Sequence, residues 1–164
     1  MRIFLIGFMG SGKTTIGRKL ARKAGLRFID MDAEIEKKYD QKIGQIFEEK
    51  GEKVFRQYER DLLQEFKVTD DIVVSTGGGV PCYHGNMEFM NNNGITVYLQ
   101  LDPPSLVKRL EEAKTDRPLI KDKSHQELID YVANKLNERE NYYMQASHVI
   151  DARNLKIDKL LELF

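Results

Sequence analysis

One segment near the start of the chain constrains the fold more than any other, the run GFMGSGKT at residues 7–14. It matches the pattern G-x-x-x-x-G-K-[ST] in full, and it lies between a strand-like apolar run at residues 3–6 and a helix-like pattern at residues 14–24. Glycines at these positions let consecutive backbone N–H groups point into one cavity, to which the following helix adds the positive end of its dipole. The segment therefore predicts a phosphate-binding loop for a nucleoside triphosphate, with Lys13 at the β- and γ-phosphates and Thr14 on Mg²⁺.

The rest of the chain alternates short β-branched runs with longer helical patterns. Strands are predicted at residues 3–6, 27–29, 72–74, 95–99 and 148–150. Helices are predicted at residues 14–24, 33–39, 43–50, 55–66, 104–113, 126–143 and 156–164. This alternation predicts a single α/β domain over residues 1–164, with helices on both faces of a parallel sheet. The charged, apolar-poor stretch at residues 114–124 is predicted to be a mobile lid.

The charge balance and the composition exclude several classes of protein. The 164 residues carry 26 basic and 26 acidic side chains, so the basic excess typical of nucleic-acid-binding proteins is absent. Cys82 is the only cysteine, which excludes an intramolecular disulfide and a cysteine-rich zinc site. No apolar run reaches the length of a membrane span, and the run at residues 3–6 is too short for a signal peptide. We therefore expect a cytoplasmic protein that binds neither nucleic acid nor membranes. We also expect it to be a monomer.

Two carboxylates, Asp30 and Asp32, follow the second predicted strand, whereas the third predicted strand ends without one. Residues two apart in an extended chain point to the same side, and this strand end is where open α/β sheets bind ligands. One carboxylate can hold the water shell of a metal ion while the other meets an acceptor hydroxyl. An alternative role for Asp32 is the N-cap of the helix predicted to begin at residue 33.

Glycines and arginines supply the remaining candidates. The triplet GGG at residues 77–79 follows the third predicted strand, where it either brings backbone close to a ligand or forms a loose turn. Arg56 and Arg139 can each present a guanidinium fork to a carboxylate, but from the residues alone a solvated helix arginine is the stronger interpretation for both. Arg117, in the predicted lid, is placed to close over phosphates.

Six motifs that span nearly the whole chain resemble those of shikimate kinases in their order and approximate spacing. The phosphate-loop pattern, with its continuation Thr15-Ile16-Gly17, is the most specific of them, and the others gain weight by occurring together. The other five are Asp30-x-Asp32, Phe55-Arg56-x-x-Glu59, Gly77-Gly78-Gly79, Arg117-Pro118-Leu119 and Arg139-x-x-Tyr142-Tyr143.

The resemblance implies a five-stranded parallel sheet of the nucleoside-monophosphate-kinase type, with strand order 2-3-1-4-5. It also implies transfer of the γ-phosphate of ATP to the 3-hydroxyl of shikimate, with Mg²⁺ held by Thr14 and, through water, by Asp30. By the same resemblance, Arg153 lies against the adenine. The ATP-binding residues that it implies are Gly10, Ser11, Gly12, Lys13, Thr14, Thr15, Arg117 and Arg153.

The resemblance also implies an acceptor site and its catalytic groups. Arg56 and Arg139 would hold the carboxylate of the acceptor, and Glu59 would orient Arg56. The implied acceptor-binding residues are Asp32, Phe47, Phe55, Arg56, Gly77, Gly78, Gly79 and Arg139, with the two phenylalanines as an apolar wall. The implied catalytic residues are Lys13, Asp32 and Arg117. Whether Asp32 removes the proton of the hydroxyl or only positions the hydroxyl is left open.

Other functions share part of this pattern. A gluconate kinase or a nucleotide kinase has the same phosphate loop, but the paired arginines and Asp32 favour a carboxylated polyol as the acceptor. A GTPase is disfavoured because no Asn-Lys-x-Asp motif occurs in the chain. A regulatory module that binds ATP without transferring phosphate is disfavoured by the intact set Lys13, Thr14, Asp30, Asp32 and Arg117.

Overall fold

The structure is a computed structural model that describes residues 1–66, 70–113 and 120–164. The strands are β1 (Arg2–Ile6), β2 (Arg27–Asp30), β3 (Ile72–Ser75), β4 (Ile95–Gln100) and β5 (His148–Asp151). The helices are α1 (Lys13–Ala24), α2 (Met31–Tyr39), α3 (Ile43–Glu65), α4 (Asn86–Asn93), α5 (Pro103–Glu112), α6 (His125–Tyr143) and α7 (Ile157–Leu161).

The five strands form one parallel sheet in the order β2-β3-β1-β4-β5, which confirms the predicted order. The central strand β1 is paired on both sides, with Phe4 opposite Val74 on β3 and opposite Thr96 on β4. Every residue of β1 is buried, because helices cover both faces of the sheet and leave no solvated side for an alternating pattern. The carboxyl ends of β1, β2 and β3 therefore meet at one edge of the sheet, where the candidate residues lie.

The phosphate loop leaves β1 and enters α1 through backbone that only glycine adopts easily. Gly10 has a φ of 82°, and Gly12, the N-cap of α1, has a φ of 96°. Both values lie in the left-handed region, where a side chain would be strained. The glycines of the motif thus turn the backbone N–H groups toward the space above α1.

Three elements differ from the sequence-based prediction. The two helices predicted at residues 43–50 and 55–66 form α3, a single run with a non-helical Gly51 (φ 83°, ψ 168°) at the kink between them. The closing helix α7 is shorter than predicted. Helix α4 was not predicted, since its sequence is rich in asparagine, a poor helix former. The pair Met87 and Met90, three residues apart and buried, is the helical signal that the sequence does contain.

No helix in the described part of the chain has both the length and the apolar character needed to cross a bilayer. Of the predicted lid at residues 114–124, the segment 114–119 lies outside the described residues, and Arg117 with it. Lys121, from the described part of that stretch, is among the residues that line the cleft beside the phosphate loop.

Candidate active site

The ammonium group of Lys13 lies inside the phosphate loop. Its Nζ donates hydrogen bonds to the carbonyl oxygens of Gly7 (2.8 Å) and Phe8 (2.9 Å), and the side chain is buried. Arg109, on α5, donates from Nη1 to the Ser11 carbonyl oxygen at 3.2 Å, so a second cation lies on the loop. From the sequence, a second contact to adenine and a solvated helix face explain Arg109 equally well, and its contact with the phosphate loop was not predicted. The loop thus carries two positive side chains beside its backbone N–H groups, as binding of an anionic phosphate chain requires.

Oxygen atoms suited to Mg²⁺ gather at the start of α1. The Thr14 hydroxyl donates to Asp30 Oδ2 at 2.9 Å, and Ser75 Oγ lies 3.4 Å from Thr14 Oγ1. Mg²⁺ prefers hard oxygen ligands and usually takes one or two carboxylates together with water and substrate phosphates, so this donor set fits the ion. In the described residues no cluster of three or more His, Cys, Asp or Glu offers an all-protein metal site. Ser75 was missed in the sequence, although it is the polar end of an apolar strand.

The N-cap of α2 is Asp30 and not Asp32. Asp30 Oδ1 accepts from the backbone N–H groups of Asp32 (3.1 Å) and Ala33 (3.3 Å). The alternative that made Asp32 the helix cap is therefore wrong. The side chain of Asp32 instead lines the cleft beside Gly77. If Gly77 carried a Cβ atom, that atom would lie 3.3 Å from Asp32 Oδ1.

A cleft of about 1190 Å³ runs along this edge of the sheet and unites most of the predicted site. Phosphate-loop residues and the residues predicted to bind the acceptor line the same cavity, although they come from distant parts of the chain. The predicted residues that line it are Gly10, Gly12, Lys13, Thr14, Thr15, Asp30, Asp32, Phe47, Phe55, Arg56, Glu59, Gly77, Gly78, Gly79 and Arg139.

Arg56 is buried in an ionic network and is not a solvated helix arginine. It is 4% exposed, and its Nη1 donates to Glu59 Oε1 at 2.8 Å while its Nη2 donates to Glu52 Oε1 at 3.1 Å. Burial opposes the charge of Arg56, but the carboxylate of Glu59 and its hydrogen bond outweigh burial and raise the pKa of the guanidinium. Burial raises the pKa of Glu59 to about 7, because desolvation exceeds the opposing attraction of Arg56.

Arg139, on α6, is the second buried arginine of the cleft, so the interpretation as a solvated residue is wrong here too. It is 5% exposed, and its Cζ lies 5.6 Å from the centre of the Phe8 ring. Its Nη1 is buried and has no hydrogen-bond partner among the residues that the structure describes. The neighbouring Tyr143 hydroxyl donates to the Gly78 carbonyl oxygen at 2.6 Å, which fastens α6 to the glycine triplet.

The glycine triplet is required by close approach to charged side chains, so the alternative of a loose turn is wrong. A Cβ atom at Gly77 would lie 2.7 Å from Glu59 Oε2, and one at Gly78 would lie 3.1 Å from Arg139 Nη1. A Cβ atom at Gly79 would overlap the guanidinium of Arg56. The backbone of this turn therefore packs directly against the ionic groups of Glu59, Arg139 and Arg56, and a larger residue would require those side chains to move.

Two aromatic rings form an apolar side of the cleft. The rings of Phe47 and Phe55 are tilted by 44° with centroids 4.8 Å apart, and Phe55 is buried. Arg153 lies elsewhere: it pairs with Asp151 through both carboxylate oxygens (Nε–Oδ1 3.0 Å, Nη2–Oδ2 2.6 Å), and it lines a smaller pocket of about 440 Å³. Its predicted contact with adenine stays a prediction.

The sheet order, the phosphate loop and the carboxylate-lined cleft beside it define a P-loop kinase. The chain matches the family described as Shikimate kinase over residues 9–163. A shikimate kinase from Parabacteroides distasonis is 48% identical over 154 residues, which cover 94% of this chain and 89% of that protein. This chain therefore belongs to the shikimate kinase family, and it is an ATP-dependent kinase, as the sequence predicts.

Solved structures agree with this assignment. The crystal structure of a shikimate kinase from Bacteroides thetaiotaomicron aligns with a TM-score of 0.95 at 42% identity, over 99% of this chain and 97% of that one. A shikimate kinase from Acinetobacter baumannii in complex with shikimate aligns with a TM-score of 0.86 at 36% identity, over 99% and 91% of the two chains. A gluconokinase from Sinorhizobium meliloti shares only the fold, with a TM-score of 0.61 at 15% identity. Family membership thus decides against the gluconate and nucleotide kinase interpretations.

Proposed function

We propose that this chain transfers the γ-phosphate of ATP to the 3-hydroxyl of shikimate, and that Arg56 and Arg139 bind the carboxylate of the acceptor. The observation that carries this proposal is the pair of buried arginines in the cleft, one of which has a buried Nη1 without a hydrogen-bond partner among the described residues. A buried, unpaired N–H of a charged group is costly. An acceptor that carries a carboxylate would satisfy it and would be oriented by two charge-assisted contacts.

The phosphate chain of ATP would occupy the loop at residues 7–14, where backbone N–H groups, Lys13 and Arg109 face it. Thr14 would hold Mg²⁺ directly and Asp30 would hold it through water, since the two side chains already contact each other. The ion would supply neutralisation of the charge on the β- and γ-phosphates. Lys13 would remain near the transferred group throughout, stabilising its equatorial oxygens.

Asp32 is the group that we assign to the acceptor hydroxyl. It lines the cleft beside Gly77, and it is released from helix capping because Asp30 performs that function. A carboxylate in this place can accept the proton of the hydroxyl or hold the hydroxyl in line with the γ-phosphate. Phe47 and Phe55 would cover one face of the acceptor ring, and the glycine triplet would let that ring approach the backbone.

Arg117 is proposed to contact the phosphates from the lid predicted at residues 114–124, and Arg153 to contact the adenine. If the contact of Arg117 strengthens in the transition state, Arg117→Ala lowers turnover by about a hundredfold while acceptor affinity changes little. Arg117→Lys restores part of the turnover, since lysine keeps the charge and loses the planar fork. Steady-state kinetics with isothermal titration checks both, and a loss confined to melting temperature would contradict the assignment.

The experiment that tests the proposed function is a coupled assay of ADP release with purified protein, ATP and Mg²⁺. Shikimate is compared with gluconate and with nucleoside monophosphates at equal concentration. The proposal is supported if shikimate is the only one of these acceptors that is turned over and if NMR identifies the product as shikimate 3-phosphate. Turnover with another acceptor and none with shikimate overturns it. We also propose that the chain acts as a cytoplasmic monomer. Size-exclusion chromatography with light scattering tests the oligomeric state.

A further inference from the structure

Tyr83 lies behind the acceptor arginine, at the end of the short 3-10 turn Val80–Cys82 that follows the glycine triplet. The centre of its ring is 4.6 Å from Cζ of Arg56. Its hydroxyl donates to Glu52 Oε1 at 3.3 Å, and that same oxygen accepts from Nη2 (3.1 Å) and Nε (3.3 Å) of Arg56. Tyr83 therefore contacts Arg56 directly through its ring and indirectly through Glu52.

These contacts hold the guanidinium from several directions at once. Glu59 accepts from Nη1, Glu52 accepts from Nε and Nη2, and the Tyr83 ring lies within cation–π range of the guanidinium. Glu52 is half-exposed on α3 and would otherwise be free to change rotamer. The hydroxyl of Tyr83, which is 31 residues away in sequence, ties that carboxylate to the turn after the glycine triplet.

Neither Tyr83 nor Glu52 is among the residues that line the cleft, whereas Arg56 is. Tyr83 is also 37% exposed, so it is not a core residue on which the fold depends. The ring of Tyr83 stacks on the buried guanidinium of Arg56, and its hydroxyl donates a hydrogen bond to Glu52, which is a counterion of Arg56. Tyr83 therefore acts on the orientation of Arg56.

We propose that Tyr83 is a positioning residue for recognition of the acceptor: it stacks on Arg56 and tethers Glu52, so that the fork of Arg56 stays aimed into the cleft. The proposal rests on the proposed function of Arg56 as a ligand of the acceptor carboxylate. Tyr83 does not touch the acceptor, and its contribution is to the affinity for a carboxylate and not to the transfer step.

The test compares Tyr83→Leu and Tyr83→Phe with the unchanged enzyme, using titration calorimetry and steady-state kinetics with shikimate and with its carboxamide. Tyr83→Leu is expected to raise the Kd and KM for shikimate about three- to tenfold, which is the range of a cation–π contact. The values of kcat, the ATP affinity and the Kd for the neutral carboxamide are expected to stay within about twofold, below the smallest cation–π effect. Tyr83→Phe keeps the ring and is expected to restore most of the affinity.

Tyr142→Leu is the matched control, since Tyr142 is 41% exposed and is stacked on no arginine in the described part of the chain. Circular dichroism and melting temperature confirm folding of each variant. If Tyr83→Leu does not fold, Tyr83→Met takes its place, because it also removes the ring. An equal loss of affinity for shikimate and its carboxamide overturns the proposal, because it shows a general structural effect. Unchanged shikimate binding in Tyr83→Leu, while Arg56→Ala weakens it, overturns the proposal and leaves the proposed function intact. If Arg56→Ala has no effect either, the proposed role of Arg56 at the acceptor carboxylate is itself overturned.

Discussion

The two halves of the cleft present hydrogen-bond donors for an anion in different ways. The phosphate half uses backbone N–H groups from a single run at residues 7–14, together with the helix α1 that begins there. The acceptor half, where we propose that shikimate binds, uses side chains from α3 and α6, packed against the turn at residues 77–79. Its arginines are almost fully buried, whereas the phosphate loop takes its shape from glycine backbone in left-handed conformations. Apart from Arg109, the phosphate half is thus local in sequence, and the other half exists only in the folded chain.

This difference determines how each half of the cleft responds to an amino-acid substitution. A buried guanidinium must be held by partners, so Arg56 is coupled to Glu59 and Glu52, and a change at any of them alters the charge that the acceptor meets. The phosphate half has fewer such dependencies, because many of its donors are main-chain N–H groups that need no partner side chain. Substitutions in the acceptor half should therefore affect the acceptor without affecting ATP, and the following predictions test that separation.

The largest effect is expected at the junction of the two halves, from Asp32→Asn. Asparagine keeps the size of the side chain, and α2 keeps its N-cap because Asp30 provides it. Turnover is expected to fall by about 10²- to 10⁴-fold, since the amide neither accepts a proton nor carries the charge that orients the hydroxyl. Turnover at saturating ATP and shikimate measures this, with circular dichroism and ATP titration as controls. Near-normal turnover would show that Asp32 has no role in the transfer.

Removal of either acceptor arginine comes next in size. Arg139→Ala and Arg56→Ala are each expected to weaken acceptor binding about ten- to a hundredfold, the loss of one charge-assisted contact of about 1.5–3 kcal/mol. ATP affinity should remain unchanged, which titration of each ligand measures. Equal losses for the two ligands would contradict the separation of the two halves.

The two arginines should differ in their effect on stability. Arg56→Ala leaves Glu59, which is 1% exposed, without its counterion, and loss of one partner of a buried pair costs about 3–5 kcal/mol. Arg139 has an unpaired Nη1, so its removal is expected to lower the melting temperature less. The double variant Arg56→Ala/Glu59→Gln is the control: it should recover melting temperature but not acceptor affinity. Recovery of both would show that Arg56 acts only as a counterion.

The same difference between a contiguous loop and side chains assembled by folding explains how much of each half could be predicted from the sequence. The phosphate loop was evident in the sequence because its contiguous pattern describes backbone geometry, and the strand order followed from the resemblance to a family. Arg56 and Arg139 looked like ordinary helix arginines, since burial is a property of the packed chain and leaves no local signal. The contact of Arg109 with the phosphate loop and the place of Ser75 beside Thr14 were missed for the same reason, since each depends on a residue far away in sequence.

Gly79→Ala probes the packing that joins the triplet to Arg56. The backbone of Gly79 has ordinary angles (φ −89°, ψ −13°), so alanine causes no conformational strain there, but its Cβ would overlap the guanidinium. Displacement of Arg56 is expected to weaken acceptor binding about tenfold, part of the value of a charge-assisted hydrogen bond. Titration with shikimate and ATP measures the effect, and unchanged shikimate affinity would show that Arg56 adjusts without losing its contact.

The smallest predicted effect is a pH dependence that arises from Glu59. Because burial raises the pKa of Glu59 to about 7, this carboxyl ionises near neutral pH, whereas its usual value is 4.5. An anionic acceptor bound to Arg56 lies close to Glu59 and favours its protonated form. Acceptor binding should therefore take up protons near neutral pH, and the Kd for shikimate should rise about three- to tenfold between about pH 6 and about pH 8, the size of a screened interaction between like charges. Calorimetry in buffers of different ionisation enthalpy measures the proton uptake directly.

Glu59→Gln separates this effect from every other titration in the protein, and stability gives an independent check of its sign. A carboxyl whose pKa is higher in the folded state than in the unfolded state binds its proton more tightly when folded, so its contribution to stability is complete below 4.5 and is lost as the pH rises to about 7. The melting temperature of Glu59→Gln relative to the unchanged protein should accordingly increase across that window and level off above it. In the same variant the pH dependence of the shikimate Kd should disappear while that of ATP is unchanged. A shikimate Kd that keeps its full pH dependence in Glu59→Gln would assign the titration to another group and would leave Glu59 as a permanent anion beside Arg56.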